Sequence, residues 1–129
     1  MTQTTAFPSV SAPKSGENTW LWLLKIITGP LLVILLAIHF IVNHYIGETG
    51  LLTYSEVVAY YQNPIIPIME ILFLASVVTH SLSGLRGIIL DLKPARHVLK
   101  ILDWVLVIFG LSAVVYGVWL ALTIASKGV

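Results

Sequence analysis

No cysteine occurs in the 129 residues. That excludes disulfides, iron–sulfur ligation and a thiol nucleophile within the chain. Charge is almost as scarce. Lys, Arg, Asp and Glu together make up 10% of the residues, against roughly a quarter in an ordinary soluble domain. A chain that is 57% hydrophobic, with a mean hydropathy of +0.94, has too little polar surface for a separate water-soluble unit and reads as one integral membrane domain. The net charge of +1, with no basic cluster interleaved with aromatics, gives no nucleic-acid partner. Also missing are a phosphate-cradling glycine loop, a serine–histidine–acid set and a two-histidine metal motif on one helix, so no soluble-type catalytic constellation is present.

Residues 1–19 are polar and rich in Pro, Ser and Thr. They lack the charged start and short apolar core of a signal peptide and the arginines of a transit peptide. They read as a flexible cytoplasmic tail of a mature prokaryotic protein, free to dock on a soluble partner. Residues 20–129 form the membrane domain. Its apolar runs cover residues 20–46, 64–90 and 102–124, each longer than the ~20 residues that cross a bilayer. Backbone polar groups find no water there, so each run is expected to be a helix. The fold class is therefore an all-α membrane protein with three transmembrane helices.

Gly47-Glu48-Thr49-Gly50 suits the end of the first helix. Asn63-Pro64 suits the start of the second, with Asn as cap and Pro in the first turn. Residues 51–62 carry no Lys or Arg and predict a short amphipathic interfacial helix anchored by Tyr54, Tyr60 and Tyr61. Arg86, Lys93, Arg96 and Lys100 cluster around the second connection, and Lys25 lies near the start of the first helix. The positive-inside rule then places the N-terminus and that connection in the cytoplasm, and the C-terminus outside.

Polar residues inside the apolar runs are the functional candidates, because each is costly in hydrocarbon. His80 is the foremost. Ser76, His80, Gly84, Gly87 and Asp91 share one helical stripe, with Ser83 at its border. Small residues there permit either close helix packing or a porphyrin lying against the helix within reach of His80. His39, in the outer half of the first helix, has the same two readings: a metal ligand or an interhelical hydrogen bond. By helical rise His39 lies ~21 Å above Lys25 and His80 ~16 Å above Asp91, so the two are expected at different depths and not on one iron. His44 sits at the outer interface as a headgroup-facing polar residue or a ligand contact, and His97 is a polar residue of the second connection. Arg86 is placed to pair with a carboxylate or to snorkel to headgroups. Glu70 is either a neutral hydrogen-bonded acid or a point on a proton path. Gly110, Ala113, Gly117 and Ala121 make a packing stripe on the third helix. Asp103 is expected at that helix's N-terminus, where an acid is favoured.

His39-Phe40-Ile41-Val42-Asn43-His44-Tyr45, Asn63-Pro64 with Glu70, and the string from His80 through Gly84 to Asp91 together resemble the membrane anchors of succinate dehydrogenase and fumarate reductase, the diheme type most closely. The resemblance spans residues 20–125. It implies haem b, one or two per assembly, and quinone as substrate. His80 would be an axial ligand of the proximal haem and His39 of the distal one, with Arg86, Ser83, Gly84 and His44 as further haem contacts. A second membrane anchor subunit would supply the remaining ligands, so that this chain forms half of a haem-binding bundle. Iron–sulfur and flavoprotein subunits would complete the complex, surrounded by membrane lipid; alone, the chain would not be catalytic. The corresponding quinone residues are Asp91, Lys25, Thr28 and Glu70. Leu92 stands where some shorter anchors have a tyrosine, and Lys25 and Thr28 stand near where they have arginine and serine. These departures favour a quinone nearer the outer surface, around His44 and Glu70. Two other classes stay open: a haem-free structural anchor, and a small transporter with His39, Glu70 and His80 as a proton relay.

Overall fold

The computed structural model describes residues 18–46 and 52–128. Of the flexible tail expected at residues 1–19, residues 1–17 lie outside them, as does the glycine cap expected at 47–50, while Thr19 is already the first residue of a helix. Four helices follow in order: α1 (Thr19–Ile46), α2 (Tyr54–Tyr61), α3 (Ile65–Asp91) and α4 (Arg96–Ala125), closed by a 3-10 turn at Ser126–Gly128. The three long helices have 28, 27 and 30 residues. At 1.5 Å per residue each is ~40 Å or more, enough to cross the ~30 Å hydrocarbon layer and project beyond it.

The ends of α3 show how sequence sets its limits. The Asn63 side chain accepts the Ile65 N–H at 3.1 Å, and the Asn63 carbonyl accepts that of Ile66 at 3.0 Å. Asn63 thus caps donors that the helix itself cannot satisfy. At the other end Lys93 adopts φ 50°, and its N–H reaches the Leu90 carbonyl at 3.0 Å. Pro94 follows, has no N–H and disfavours a right-handed residue before it, so the chain leaves α3 through a left-handed lysine.

The third membrane helix begins at Arg96, six residues before the apolar run at 102 that marked its expected start. Ala95 is extended, at φ −60° and ψ 149°, directly after Pro94, and the helix starts as soon as the proline permits. Arg96, His97 and Lys100 form its first turns. Hydropathy marks where a helix enters hydrocarbon, not where it begins. Asp103 consequently lies two turns inside α4, not at its N-terminus.

α3 is the centre of the molecule. It packs on α1 along one face and on α4 along the other, and among the described residues α1 and α4 make no backbone approach. Both pairs are antiparallel. Toward α4, Leu82 and Leu74 project at Gly110 and Gly117. A Cβ on Gly110 would meet Leu82 Cδ1 at 2.7 Å, and one on Gly117 would overlap Leu74 Cδ2. The stripe expected on the third helix is therefore a packing face, with Gly110 and Ala121 buried. The outer faces of α1 and α4 expose large apolar residues such as Val33, Phe40, Ile108 and Leu111, as a surface meeting lipid or another helix does.

α2 lies against the N-terminal end of α3 and the C-terminal end of α4. Glu56 accepts both the N–H and the hydroxyl of Thr53 at 2.6 Å, which fixes its first turn. Lys127 from the C-terminal turn donates to the Tyr54 hydroxyl at 3.1 Å and sits over its ring. Tyr60, expected as an interfacial anchor, is instead buried.

Candidate functional site

The polar residues of the membrane core gather in two layers along the α1–α3 contact. The inner layer centres on His80. Its Nδ1 lies 3.1 Å from the Thr28 hydroxyl on α1, and its ring passes over Gly29, where an added Cβ would stand 3.4 Å from Cε1. Two turns toward the C-terminal end of α3, the Lys25 ammonium comes within 3.3 Å of where a Gly87 Cβ would be. A methyl at Gly29 would make ordinary contact with the imidazole, and one at Gly87 would ask the flexible end of Lys25 to give by a few tenths of an ångström. Asp91 closes this layer as an exposed residue at the end of α3.

The outer layer centres on His39. Its Nδ1 meets Glu70 Oε1 at 3.0 Å, and its ring stacks on Phe73 at 5.2 Å between centroids. Asn43 is bonded to its own helix, through the His39 carbonyl at 2.8 Å. Thr28 and His39 are separated by ~16 Å of helix and Glu70 and His80 by ~15 Å, so the two imidazoles stand at different depths. Each turns Nδ1 toward a partner on the neighbouring helix. No hydrogen bond to either Nε2 is present among the described residues.

Above Glu70 lie two tyrosines of α2. Tyr60 is buried, and its hydroxyl meets no acceptor at hydrogen-bond geometry. Burial first, then the charge of Glu70, push its phenol up to about 12. Tyr61 is raised for the same two reasons. Tyr61 and Glu70 form the polar end of a pocket of about 260 Å³ between α3 and α4, otherwise lined by apolar residues including Phe73, Leu74 and Leu120.

The remaining sequence candidates fall elsewhere. Arg86 is six residues from His80, about 240° round the helix, and faces α4. There it holds Asp103 in a two-point pair, Nε to Oδ1 at 2.6 Å and Nη2 to Oδ2 at 3.1 Å. The carboxylate that Arg86 meets within this chain is thus that of Asp103. Ser83 is buried and bonds back to the Thr79 carbonyl at 2.6 Å. Ser83, Arg86 and Asp103 line an open groove of about 480 Å³ between the N-terminal end of α1, α3 and α4. His44 is exposed, stacked on Phe40 and edge-on to Tyr45, away from the His39–Glu70 pair. His97 is exposed at the start of α4. Gly84 differs from the other glycines of the core: a Cβ there would meet nothing within 4 Å. Its lack of a side chain serves no packing inside this chain.

Sequence reasoning missed the Arg86–Asp103 pair, although the signal was present. Asp103 is the only acid of α4, and Arg86 the only Lys or Arg of α3. Two lone opposite charges on adjacent antiparallel helices at a membrane boundary are strongly driven to meet. The Thr28–His80 contact had no such signal, because a threonine in a helix is ordinarily satisfied by its own backbone.

Three long apolar helices, antiparallel through α3, with His39, Glu70, Thr28 and His80 at the α1–α3 contact and Arg86 and Asp103 at the α3–α4 contact, define a multi-pass all-α membrane subunit. The family model described as "Succinate dehydrogenase/Fumarate reductase transmembrane subunit" matches residues 2–119. The chain belongs to that family and is a membrane anchor subunit of succinate dehydrogenase or fumarate reductase. It is similar to the succinate dehydrogenase hydrophobic membrane anchor subunit of Archaeoglobus fulgidus, 32% identical over 115 residues, which are 89% of this chain and 97% of that one. It is also similar to the succinate dehydrogenase 2 membrane subunit SdhC of Mycobacterium tuberculosis, 30% identical over 78 residues, covering 60% of this chain and 57% of the relative. No solved structure matches the chain significantly.

Proposed function

We propose that this anchor holds b haem at both layers and carries electrons between the soluble subunits of the complex and quinone. The observation that carries the reading is the common state of the two imidazoles. Each is oriented through Nδ1 by a partner on the facing helix, and among the described residues neither Nε2 is hydrogen-bonded. That is the arrangement in which a histidine serves an iron: one nitrogen fixed, the other presented. The open flank at Gly84 adds room for a flat ligand beside His80. Among the described residues no three His, Asp or Glu side chains converge. His80 and His39 would each give one ligand to a haem of their layer, and the partner anchor subunit would give the rest.

Bound haem supplies one-electron transfer. This chain's residues would do the rest. His80 and His39 present imidazole nitrogens, Thr28 and Glu70 hold the rings, and the surrounding apolar helices exclude water, which with neighbouring charge sets the potential. The pocket bounded by Tyr61 and Glu70 supports a quinone near the outer surface, with a carboxyl and a phenol at its polar end. The soluble partners would be an iron–sulfur and a flavoprotein subunit at the cytoplasmic face of a prokaryotic cell membrane, beside the basic residues Arg96 and Lys100.

A dithionite-reduced minus oxidised spectrum of the purified complex tests this. A b-type α-band is expected in the wild type. His80→Ala and His39→Ala should remove spectrally distinct parts of it. A wild-type complex with no α-band would leave a haem-free structural anchor. Loss with His80→Ala alone would leave a single haem.

A further inference from the structure

Thr28 is buried at the α1–α3 contact, 7% exposed. Its hydroxyl has one proton and two lone pairs. Oγ1 lies 2.6 Å from the Leu24 carbonyl oxygen, a separation two oxygens adopt only with a proton between them. A carbonyl has no proton to give, so the Thr28 proton is there. What Oγ1 presents to His80 Nδ1 at 3.1 Å is therefore a lone pair, and the hydrogen of that bond belongs to the imidazole. The reverse arrangement would set two acceptors against each other in a buried contact, which is unfavourable. A neutral imidazole protonated at Nδ1 carries its lone pair on Nε2.

We propose that Thr28 is the positioning residue of His80: its backbone-bonded hydroxyl selects the imidazole form with the free lone pair on Nε2 and fixes the rotation of the ring. This rests on the reading of His80 as an axial haem ligand. The ring lies against α1 beside Gly29. The assignment also removes Thr28 from the quinone residues expected from sequence. With its proton held by Leu24 and a lone pair held by His80, the hydroxyl has no hydrogen to offer a quinone carbonyl. The α1–α3 contact thereby becomes part of the haem site, although α1 contributes no ligand to that layer.

The test uses the assembled complex purified from membranes. Haem content, the ferric EPR g values and the midpoint potential are measured in wild type, Thr28→Val, Thr28→Ser and His80→Ala. Valine keeps the volume and removes the acceptor. With Thr28→Val we expect haem affinity to fall about 10-fold, as for loss of other outer-shell partners. The g values should shift as the ring is released, and the potential should rise as the imidazole loses electron density. Thr28→Ser, which keeps the hydroxyl, should restore all three. Should valine prevent assembly, Thr28→Ala, which adds no atom, gives the same readout. Wild-type g values and potential in the valine or alanine variant would overturn the positioning role while leaving His80 as ligand. Haem signals unchanged in His80→Ala would overturn the ligand reading itself.

Discussion

At the residue scale, glycines of the same helical core have opposite meanings. Gly117 receives Leu74, and an added methyl there has nowhere to go without moving that side chain. Gly117→Ala should destabilise the α3–α4 pair by about 1–3 kcal/mol, the usual cost of overpacking, read as a lower melting temperature of the complex. Gly84 receives nothing from this chain. Gly84→Ala should stabilise α3 by up to about 1 kcal/mol through helix propensity, while a bulky Gly84→Phe should cut haem content if a porphyrin occupies that flank. The Arg86–Asp103 pair is a third case. Asp103→Asn weakens a two-point charged contact and should cost about 1–2 kcal/mol, discounted because the aspartate side chain is 42% exposed. The sequence was legible here in proportion to how expensive each residue is. His80 and His39 stand out because hydrocarbon penalises an imidazole. Thr28 did not, because a hydroxyl that can turn to its own backbone carries no such penalty, and only the distances reveal its second bond.

At the scale of the element, the three long helices were plain from hydropathy alone, and α2 from its lack of basic residues and its three tyrosines. The start of α4 was not, because its first turns lie outside the apolar run and are held by backbone geometry after Pro94. Two local devices can be tested. Lys93 is left-handed, a conformation that costs a non-glycine residue about 1–2 kcal/mol. Lys93→Gly should recover about 1 kcal/mol of that and slow exchange of the last α3 amides. Glu56 is held below its ordinary 4.5 by the hydrogen bonds from Thr53, its side chain first and its backbone second. A depressed carboxyl contributes stability that is fully present above 4.5 and is lost as pH falls through its lower folded value. The start of α2 should therefore loosen in acid, seen as faster amide exchange at Ser55–Val57 in wild type but not in Glu56→Gln, where it is already loose at neutral pH.

At the scale of the whole molecule, the different depths of His39 and His80 followed from helical rise, but the layer order α1–α3–α4 was not readable from one helix at a time. Periodicity gives the stripe on each helix. It does not say that α3 stands between the others, nor that Arg86 turns away from His80 toward α4. The basic residues give an expected orientation, and the lack of native cysteine makes it testable. A membrane-impermeant maleimide applied to intact cells should label Ser126→Cys and Thr53→Cys and leave Lys93→Cys unlabelled until the membrane is opened. The reverse pattern would invert the proposed topology.

The central position of α3 has a last consequence, for the life of the chain in the cell. Among the described residues α1 and α4 do not approach each other and α3 stands between them, so a newly inserted copy without its partners is a row of three helices with a half-lined polar contact. Such a state opens readily, and opened states are what proteolytic quality control removes. The amount of this subunit should therefore be set by the supply of its partners rather than by its own synthesis. In a pulse-chase experiment, its half-life should shorten several-fold when the chain is made alone, and lengthen again when the rest of the complex is co-expressed.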